Sequence, residues 1–534
     1  MKKIQLLTAM LLISCTLAIA TSCGRGTSKN EEAVNAEDTQ EINEHAFAQE
    51  EIEIAATGEP TASEPVSITP LTLDDILEMA NTRREGIIKP SEDIAAALVQ
   101  GREPPTIDVS QFFNEVSAAQ IISGNDAIYD AQIFFDITRQ VYGAYTYFGG
   151  DEVFLPIFKY VLDRLSTQDY WQLDDFSALL FDSLYPVISD NHFIIHGRRL
   201  GVNHNFYVSD TAFERSENGL RNIETGLYVA EAVGHDLDKL FRLAMNDSGK
   251  FYYIPIVVRP EFLSEYNLTL VYECGDNQAL TLRRHNPSRR NFQPVSLARR
   301  AHNIPLVTIM SMGFPTSTYG SGSRDARRFL SIAEELRDEP VIIVDIRSNG
   351  GGNGILHRQW LHILTGEIVP GNYFGMRVNN YDTFRETVIN SPYDSWFFNP
   401  IDLLDTYYPR IPFGDYHILS HTLPNRIIEN DQLIILLTDR FVASAGDAFA
   451  DAMLNMENTL IIGQNTGGVL HTDLTYSPLF LPNSGLRFGL GRTIHLHPEG
   501  HLQEGIGVAP DIWFTGNFII TAILNMLEEH TLIF

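Results

Sequence analysis

Apolar positions recur at two different spacings along the chain. Three segments, at 127–145, 152–165 and 176–188, carry apolar residues three and four positions apart, which predicts amphipathic helices. Between 200 and 300 the apolar runs are shorter and are separated by turn residues, and the runs at 251–259 and 268–273 predict strands. We therefore expect a helical N-terminal domain over 69–200 and a small β-rich middle module over 201–302.

The pattern changes again at about residue 303, where strand-like and helix-like segments alternate. Continuous apolar runs at 304–310, 341–346, 432–437 and 459–462 predict buried strands. Helices are predicted between them at 323–337, 353–366 and 446–455, and an insertion rich in aromatic residues and asparagine fills 367–431. Such a βαβ succession indicates an α/β fold with a largely parallel sheet, forming a core over 303–534.

Length and charge narrow the classes of function. A chain of 534 residues exceeds what one hydrophobic core supports, so several domains are expected. The formal net charge of −30 excludes a nucleic-acid partner, because phosphate binding requires concentrated lysine and arginine. No motif predicts a cofactor.

The first 23 residues have the pattern of a signal peptide. Lys2 and Lys3 precede an apolar run over 4–20, and small residues lead to Cys23. A cysteine in this position resembles a bacterial lipobox, which implies a lipid on Cys23 and a protein anchored to the membrane of the cell envelope, outside the cytoplasm. The alternative is an ordinary cleaved signal peptide.

Residues 24–68 are acidic and poor in apolar residues, which predicts a disordered tether. Cys274 is expected to be a small buried hydrophobic residue.

A glycine cluster ends one of the predicted strands of the core. The strand at 341–346 is followed by Asn349 and by Gly350, Gly351 and Gly352. Glycines at a strand end allow a sharp turn and let a ligand approach bare N–H groups. The run fits neither Gly-x-Gly-x-x-Gly nor Gly-Lys-Ser/Thr, so a phosphate is not the expected ligand. The alternative is a tight strand-to-helix turn without a ligand.

A second strand-to-helix junction carries a serine. In the segment 432–453, Ser444 precedes a predicted helix. The free N–H groups and the dipole of a helix N-terminus stabilise developing negative charge, so a serine here could act as a nucleophile. The alternative is an N-cap, a common role of serine.

Taken together, four blocks resemble peptidase family S41. The family's Asp-x-Arg-x-Asn strand with its glycine turn is similar to 345–352, and its nucleophile block is similar to 443–447. Two later segments, 462–468 and 504–511, resemble the blocks that follow, with Gln464 where the family usually has glutamate. The resemblance implies a crotonase/ClpP-like core and a serine peptidase acting on peptides or unfolded proteins.

The resemblance also implies a particular branch and a set of residues. The C-terminal processing branch uses a lysine base, but Val469 occupies that position and no lysine follows Ser444. The tricorn-like branch uses a histidine from an earlier domain, which matches His192, and a downstream glutamate, which matches Glu504. Ser444 would be the nucleophile, His192 the base and Glu504 the group that orients the imidazole. The N–H groups of Gly351 and Ala445 would bind the oxyanion, with Gly350 or Gly352 as substitutes.

Two alternatives remain at this level. His495, His497 and His501 raise the possibility of a metal site, but no carboxylate or cysteine pattern accompanies them, so no metal is predicted. The resemblance also includes retinoid-binding modules, so the rival to a peptidase is a non-catalytic binding lipoprotein on the same fold. The sequence does not give the oligomeric state.

Overall fold

The computed structural model describes residues 71–88, 90–293, 295–313, 321–380, 411–419, 427–473 and 476–530. All of them belong to one compact unit, Ser67–Phe534. The helices of this part of the chain are α1 (Leu73–Glu85), α2 (Glu92–Val99), α3 (Gly124–Val141), α4 (Gly150–Leu165), α5 (Leu173–Leu184), α6 (Leu237–Leu240), α7 (Ser321–Glu335), α8 (Ile355–Thr365), α9 (Ala445–Met453) and α10 (Ile519–Glu529).

Within the described residues, the strands form one large sheet and three small ones. They are β1 (Ile121–Ser123), β2 (Tyr170–Gln172), β3 (Ile194–Ile195), β4 (Arg198–Arg199), β5 (Asn205–Val208), β6 (Phe213–Ser216), β7 (Gly219–Asn222), β8 (Val229–Ala232), β9 (Phe241–Met245), β10 (Phe251–Arg259), β11 (Glu265–Tyr272), β12 (Asn277–Arg284), β13 (Ser296–Arg299), β14 (Pro305–Thr308), β15 (Val341–Asp345), β16 (Phe374–Asn379), β17 (Asp415–Leu419), β18 (Leu433–Thr438), β19 (Thr459–Gly463), β20 (Tyr476–Phe480), β21 (Arg487–Leu490), β22 (Thr493–Leu496) and β23 (Ile512–Trp513).

The large sheet has a parallel half and an antiparallel half. Its order is β13-β14-β15-β18-β19-β23-β9-β10-β5-β12-β11-β8, with β6 and β7 attached to β10. The run from β14 to β23 is parallel, and β9 to β12 pair antiparallel. The parallel half is formed by the predicted α/β core, and the antiparallel half by the predicted β-rich module.

Helices cover both faces of the parallel half, which explains its continuous apolar strands. Every residue of β15, β18 and β19 is buried. Alternate side chains point to opposite faces: Ile343 joins the cluster that includes residues of α1 and α10, and Ile342 joins the cluster that includes α7, α8 and α9. This packing fixes the strands whose ends carry the candidate site.

The N-terminal helical region does not form a core by itself. Helices α3, α4 and α5 share one apolar cluster with β16, β20, β21 and β22. Helix α1 packs instead on the large sheet, through Leu73, Ile76 and Ala80. The helical region is therefore held directly against segments that come late in the chain, and this brings residue 192 toward the core.

The structure confirms the helices and strands expected from the hydrophobic pattern, with ends displaced by a few residues. The large sheet continues across the expected 302/303 boundary, and the domain boundaries stay predictions.

The expected burial of Cys274 is wrong: this residue is exposed, in the turn between β11 and β12. The signal peptide, the lipidated Cys23 and the acidic tether lie outside the described residues. Within the described ranges, no helix is both long and apolar enough to cross a membrane.

Candidate active site

The glycine turn after β15 and the loop after β18 meet at one edge of the sheet. The two strands pair in parallel, with Asp345 opposite Leu437. Because parallel neighbours end at the same edge, the turns that follow them lie side by side. The Ala443 N–H donates a hydrogen bond to the Asn349 carbonyl oxygen at 2.9 Å. This contact ties the glycine turn to the loop that carries Ser444.

Ser444 has a strained backbone at the start of α9. Its φ of 57° and ψ of −116° lie outside the regions that serine ordinarily adopts. Such a conformation costs about 1–3 kcal/mol and is most often found at functional sites. A sharp strand-to-helix turn of this kind exposes the hydroxyl of a nucleophilic serine. Among the described residues, the N–H of Ala445 at the helix start donates no hydrogen bond, so it is free to bind an anion.

Gly351 packs directly against the serine. Its φ is 93°, and a Cβ placed on it would lie 2.5 Å from the Ala443 carbonyl oxygen and 2.7 Å from the Ser444 Cβ. Both distances are far below van der Waals contact, and the positive φ also favours glycine. The glycine is therefore required by the close approach of the two turns.

The N–H of Gly351, predicted as an oxyanion donor, has a hydrogen-bond partner in the structure. Its N–H donates to Asn349 Oδ1 at 2.9 Å, so the donor is already used. The N–H groups of Gly350 and Gly352, which the sequence offered as substitutes, make no hydrogen bond in the part of the chain that the structure describes. The second oxyanion donor is therefore better assigned to one of these two neighbours.

Asp447 links the serine to a segment that we call the bridging segment (466–473). The Asp447 carboxylate accepts hydrogen bonds from the N–H groups of Ser444 at 2.7 Å, Gly468 at 3.0 Å and Val469 at 2.9 Å. Burial raises the pKa of Asp447, and these hydrogen bonds oppose that effect. The acid of the nucleophile block thus holds the backbone around the serine.

His192 contacts the other end of the bridging segment. Its Nδ1 lies 2.7 Å from the Thr472 carbonyl oxygen. Since a carbonyl can only accept, Nδ1 carries the proton and Nε2 is left with a lone pair. The side chain is buried, and burial lowers the pKa of His192 below its ordinary value. The imidazole is therefore neutral at neutral pH, in the tautomer that a general base requires.

The structure does not join His192 and Ser444 directly. No hydrogen bond links the two side chains among the described residues. The connection runs from Asp447, through Val469, to Thr472 on the bridging segment. Val469 and Thr472 are three positions apart, so the two contacts lie no more than roughly 10 Å from each other along the chain. The candidate nucleophile and base thus lie at the two ends of one short segment.

A buried network fixes His192 from behind. The Asp190 carboxylate accepts hydrogen bonds from the His192 N–H at 2.8 Å, the Tyr142 hydroxyl at 2.7 Å and the Thr472 hydroxyl at 2.8 Å. Asp190 and Tyr142 are fully buried. One carboxylate therefore positions both the histidine and the residue whose carbonyl oxygen orients its ring.

Glu504, predicted to orient the imidazole, contacts backbone amides on either side of the histidine contact. Its two oxygens accept hydrogen bonds from the N–H groups of Asn191 at 2.7 Å and His471 at 3.1 Å, and neither bonds the His192 ring. Burial, together with the negative charge of Asp190, raises the pKa of Glu504 to about 8. Glu504 clamps the backbone on either side of the histidine contact, while the Thr472 carbonyl orients the imidazole.

The three histidines that suggested a metal are engaged in other contacts. His495 Nδ1 and His497 Nε2 lie 3.1 Å and 3.3 Å from the Leu470 carbonyl oxygen. His501 Nε2 lies 2.7 Å from Asp451 Oδ1. Burial opposes the ionisation of Asp451, but the contact with His501 prevails and lowers its pKa to about 2. Across the described ranges, no group of three or more histidine, cysteine or acidic side chains is arranged to hold a metal.

Sequence reasoning named the serine, the histidine and the glycine turn as candidates, but not the groups that surround them in the structure. A backbone carbonyl such as that of Thr472 has no signature of residue type. Tyr142 lies at the end of a helix, 50 residues before the histidine, and resembles any core tyrosine. Asp190 stands two residues before His192, and that proximity was the one available signal.

Comparison with known proteins gives a family match over the core. The family model described as peptidase family S41 matches residues 303–514. No curated protein sequence matches the chain. The matched range includes Ser444, the glycine turn, the bridging segment and Glu504, and His192 lies before it.

Solved structures share part of the architecture at low identity. Mature CPAF in complex with lactacystin is 14% identical, with 76% of this chain and 97% of that chain covered and a TM-score of 0.37. A lipoprotein from Streptococcus agalactiae is 13% identical, with 76% and 96% covered and a TM-score of 0.36. The tricorn protease is 15% identical, with 76% and 37% covered and a TM-score of 0.33.

Proposed function

Because residues 303–514 match the family model of peptidase family S41, we propose that this protein is a serine-type peptidase that hydrolyses peptides or unfolded proteins. Ser444 is the nucleophile and His192 the general base. The observation that carries the proposal is the strained Ser444 backbone at the start of α9, with φ 57° and ψ −116°. Ser444 is also the N-cap of this helix and its N–H bonds Asp447. A serine with relaxed backbone angles would serve as a cap without the strain, so the strain favours a role beyond capping.

The reaction follows from the groups present. Nε2 of neutral His192 takes the proton of the Ser444 hydroxyl as Oγ attacks the carbonyl carbon of the scissile bond. The N–H of Ala445 stabilises the oxyanion of the tetrahedral intermediate. His192 then gives its proton to the leaving amine, and an acyl-enzyme remains. A water molecule, deprotonated by the same imidazole, releases the acid and restores the serine.

The contact between base and nucleophile is made when substrate is bound. A general base must come within about 2.6–3.2 Å of the proton it removes, and apo sites are commonly looser. The bridging segment contacts both partners, so a substrate strand lying beside it can draw them together. The Asp190 network holds the imidazole during this movement.

Hydrolysis of an unfolded protein by the purified chain tests the proposal. Ser444→Ala should abolish turnover, and His192→Ala should lower kcat by roughly 10²–10⁴ with little change in KM. Because burial lowers the pKa of His192, kcat/KM should begin to fall only below pH 6.5. Turnover that survives Ser444→Ala, or folded wild-type protein without any activity, contradicts the proposal.

The rival function is a binding protein on the same fold. Two observations favour it: His192 and Ser444 are not hydrogen-bonded in the described part of the chain, and the Gly351 N–H is used by Asn349. A non-catalytic protein would bind unfolded peptides equally well with or without Ser444→Ala, and would release no new amino termini.

We also propose that the peptidase acts outside the cytoplasm, held to the membrane by a lipid on Cys23. The support is the charged start, the apolar run over 4–20 and the cysteine after small residues. Growth with a labelled fatty acid should tag the wild-type protein and leave Cys23→Ser untagged. A wild-type protein without label would contradict the anchor while leaving the peptidase proposal intact.

A further inference from the structure

A large cavity shares a wall with the candidate site. Its volume is about 1010 Å³, and its lining includes Ser189, His471 and Glu504. Glu504 holds the backbone N–H of Asn191, next to His192, and that of His471, next to Thr472. The wall of the cavity thus contacts the residues next to His192 and Thr472, and the contact between these two residues orients the imidazole.

The lining of this cavity is mainly apolar. Large apolar side chains there are solvent-exposed, with 82% of Ile88, 49% of Ile94 and 47% of Tyr147 accessible. Deeper lining is provided by Phe148 and Leu502. Apolar side chains gathered around a concave opening mark a binding site, because a folded chain otherwise gains by burying them.

Several polar groups of the wall are uncharged near neutral pH. Burial lowers the pKa of His495 to about 3 and that of His497 to about 4. Burial also raises the pKa of Glu504 to about 8, so this carboxyl is largely protonated at neutral pH. The charged side chains of the lining include Arg83, which is paired with Asp511 at 2.9 Å, and also Arg242 and the exposed Glu499. The uncharged part of the wall suits an apolar side chain better than a charged one.

The cavity lies at peptide distance from Ser444. Helix α9 begins directly after the serine and has 9 residues, which gives a length of about 13 Å, and Leu454 at its far end lines the cavity. On the near side, the N–H groups of Ser444 and Val469 bond the same Asp447 oxygen, at 2.7 Å and 2.9 Å, and His471 follows Val469 by two residues, a span of at most roughly 7 Å. Both routes place the cavity within about 13 Å of Ser444. An extended peptide advances about 3.3 Å per residue, so the cavity is reached within about four residues of the scissile bond.

We propose that this cavity is a specificity subsite that binds a bulky apolar side chain, such as that of leucine or phenylalanine, within about four residues of the bond that is cut. The inference rests on the proposed peptidase function and adds to it a preference that no sequence motif indicates. The occupant is a segment of the substrate peptide, because the cavity continues from the elements that hold His192.

Two measurements separate this inference from the function on which it rests. In each peptide pair, the two peptides differ only in having phenylalanine or alanine at one of these positions. The first measurement is the ratio of their kcat/KM values. The same pairs, tested for binding to the Ser444→Ala variant by fluorescence polarisation, give a ratio of Kd that needs no catalysis. At one of these positions, the phenylalanine peptide should have a kcat/KM about tenfold or more higher, and a Kd lower by a similar factor, than the alanine peptide.

The variants Ile88→Asp and Ile94→Asp place a charge in the cavity lining and should reduce both ratios about tenfold. Labelling of Ser444 by a small fluorophosphonate, which does not need the cavity, should be unchanged. Phe262→Ser is the matched control, because this residue is 70% exposed and lies outside the cavity, so its ratios should equal those of wild type.

Hydrolysis without a preference for phenylalanine, or a preference that both aspartate variants retain, overturns the subsite while the peptidase stands. Preferential binding to the Ser444→Ala variant without hydrolysis by wild type overturns the peptidase and leaves the cavity as a peptide-binding site. Equal binding of both peptides together with no hydrolysis overturns both.

Discussion

At the scale of single residues, the geometry of the site depends on which acceptor each backbone N–H finds. Asn349 Oδ1 takes the Gly351 N–H, and Glu504 faces two backbone amides. The sequence indicates Ser444 and His192 as candidates because few residue types act as nucleophile or base, but it does not show these contacts. Which of several nearby acceptors binds a given backbone N–H is determined only by the three-dimensional arrangement of the folded chain.

Gly351→Ala should disable the protein through its backbone. The new methyl group would lie 2.5 Å from the Ala443 carbonyl oxygen and 2.7 Å from the Ser444 Cβ, at a φ of 93°. We expect a loss of at least 1–3 kcal/mol in the free energy of unfolding from backbone strain, and labelling of Ser444 by a fluorophosphonate should fall with it. Both are measurable on the purified variant, by urea unfolding and by gel fluorescence.

Gly354→Ala is the control for this substitution. Gly354 has a φ of −66°, and the nearest atom to a Cβ placed there is His357 Cε1 at 3.9 Å. Its stability and labelling should stay near those of wild type. Equal effects of the two substitutions would refute the idea that the close approach at Gly351 positions the serine.

At the scale of elements, the strands and helices were predictable because their apolar periods are long and regular. The strand-to-helix junctions that carry Gly351 and Ser444 follow from β15 and β18 being parallel neighbours. The bridging segment (466–473) was not foreseen as an organiser. It has no regular structure, and its importance comes from backbone groups that bond Asp447, His192 and Glu504.

Tyr142→Phe tests whether the buried network behind the histidine positions it. Loss of the hydroxyl removes one of three hydrogen bonds to Asp190, so Asp190 and Thr472 become less firmly held. We expect kcat to fall roughly 10- to 100-fold while KM changes little, because misplacement affects the reacting geometry more than binding. Thr472→Ser, which keeps the hydroxyl that bonds Asp190, should retain most of the rate.

Tyr145→Phe provides the matched loss of a tyrosine hydroxyl. Tyr145 lies three residues further on and donates to Asp151 at 2.8 Å, outside the network that holds His192. Its kcat should equal that of wild type. A similar drop in both tyrosine variants would point to a general loss of stability rather than to positioning.

At the scale of the whole molecule, the site depends on contacts between parts that are far apart in the sequence. Residues 190–192 contact residues 471–504, and α3 to α5 share a core with β20 to β22. The hydrophobic pattern predicted each part but not that one sheet would run through two of the expected domains. Long-range packing is set by which apolar faces meet, and the pattern of a single segment does not specify its partner.

Glu504 makes this assembly sensitive to pH. Burial raises its pKa from an ordinary 4.5 to about 8, so between these values the unfolded chain is ionised while the folded chain keeps its proton. The contribution of this group to stability is therefore fully present below pH 4.5 and is lost as the pH rises through 8. Glu504→Gln cannot ionise, and should flatten the fall in unfolding free energy between pH 5 and pH 8.

Glu499→Gln, an exposed substitution in the same loop, serves as the comparison and should leave that fall unchanged. Urea unfolding of the three proteins at both pH values measures the effect. If the wild type and the Glu504→Gln variant lose the same free energy between pH 5 and pH 8, the buried carboxyl is not the source of the pH dependence.

The most direct test of the account is to locate a covalent adduct. Wild-type protein treated with a fluorophosphonate, digested and examined by mass spectrometry should carry the phosphonyl group on Ser444, and His192→Ala should slow its formation by orders of magnitude. An adduct on another serine, or folded wild-type protein that forms no adduct, would contradict the assignment of Ser444 and His192 as nucleophile and base.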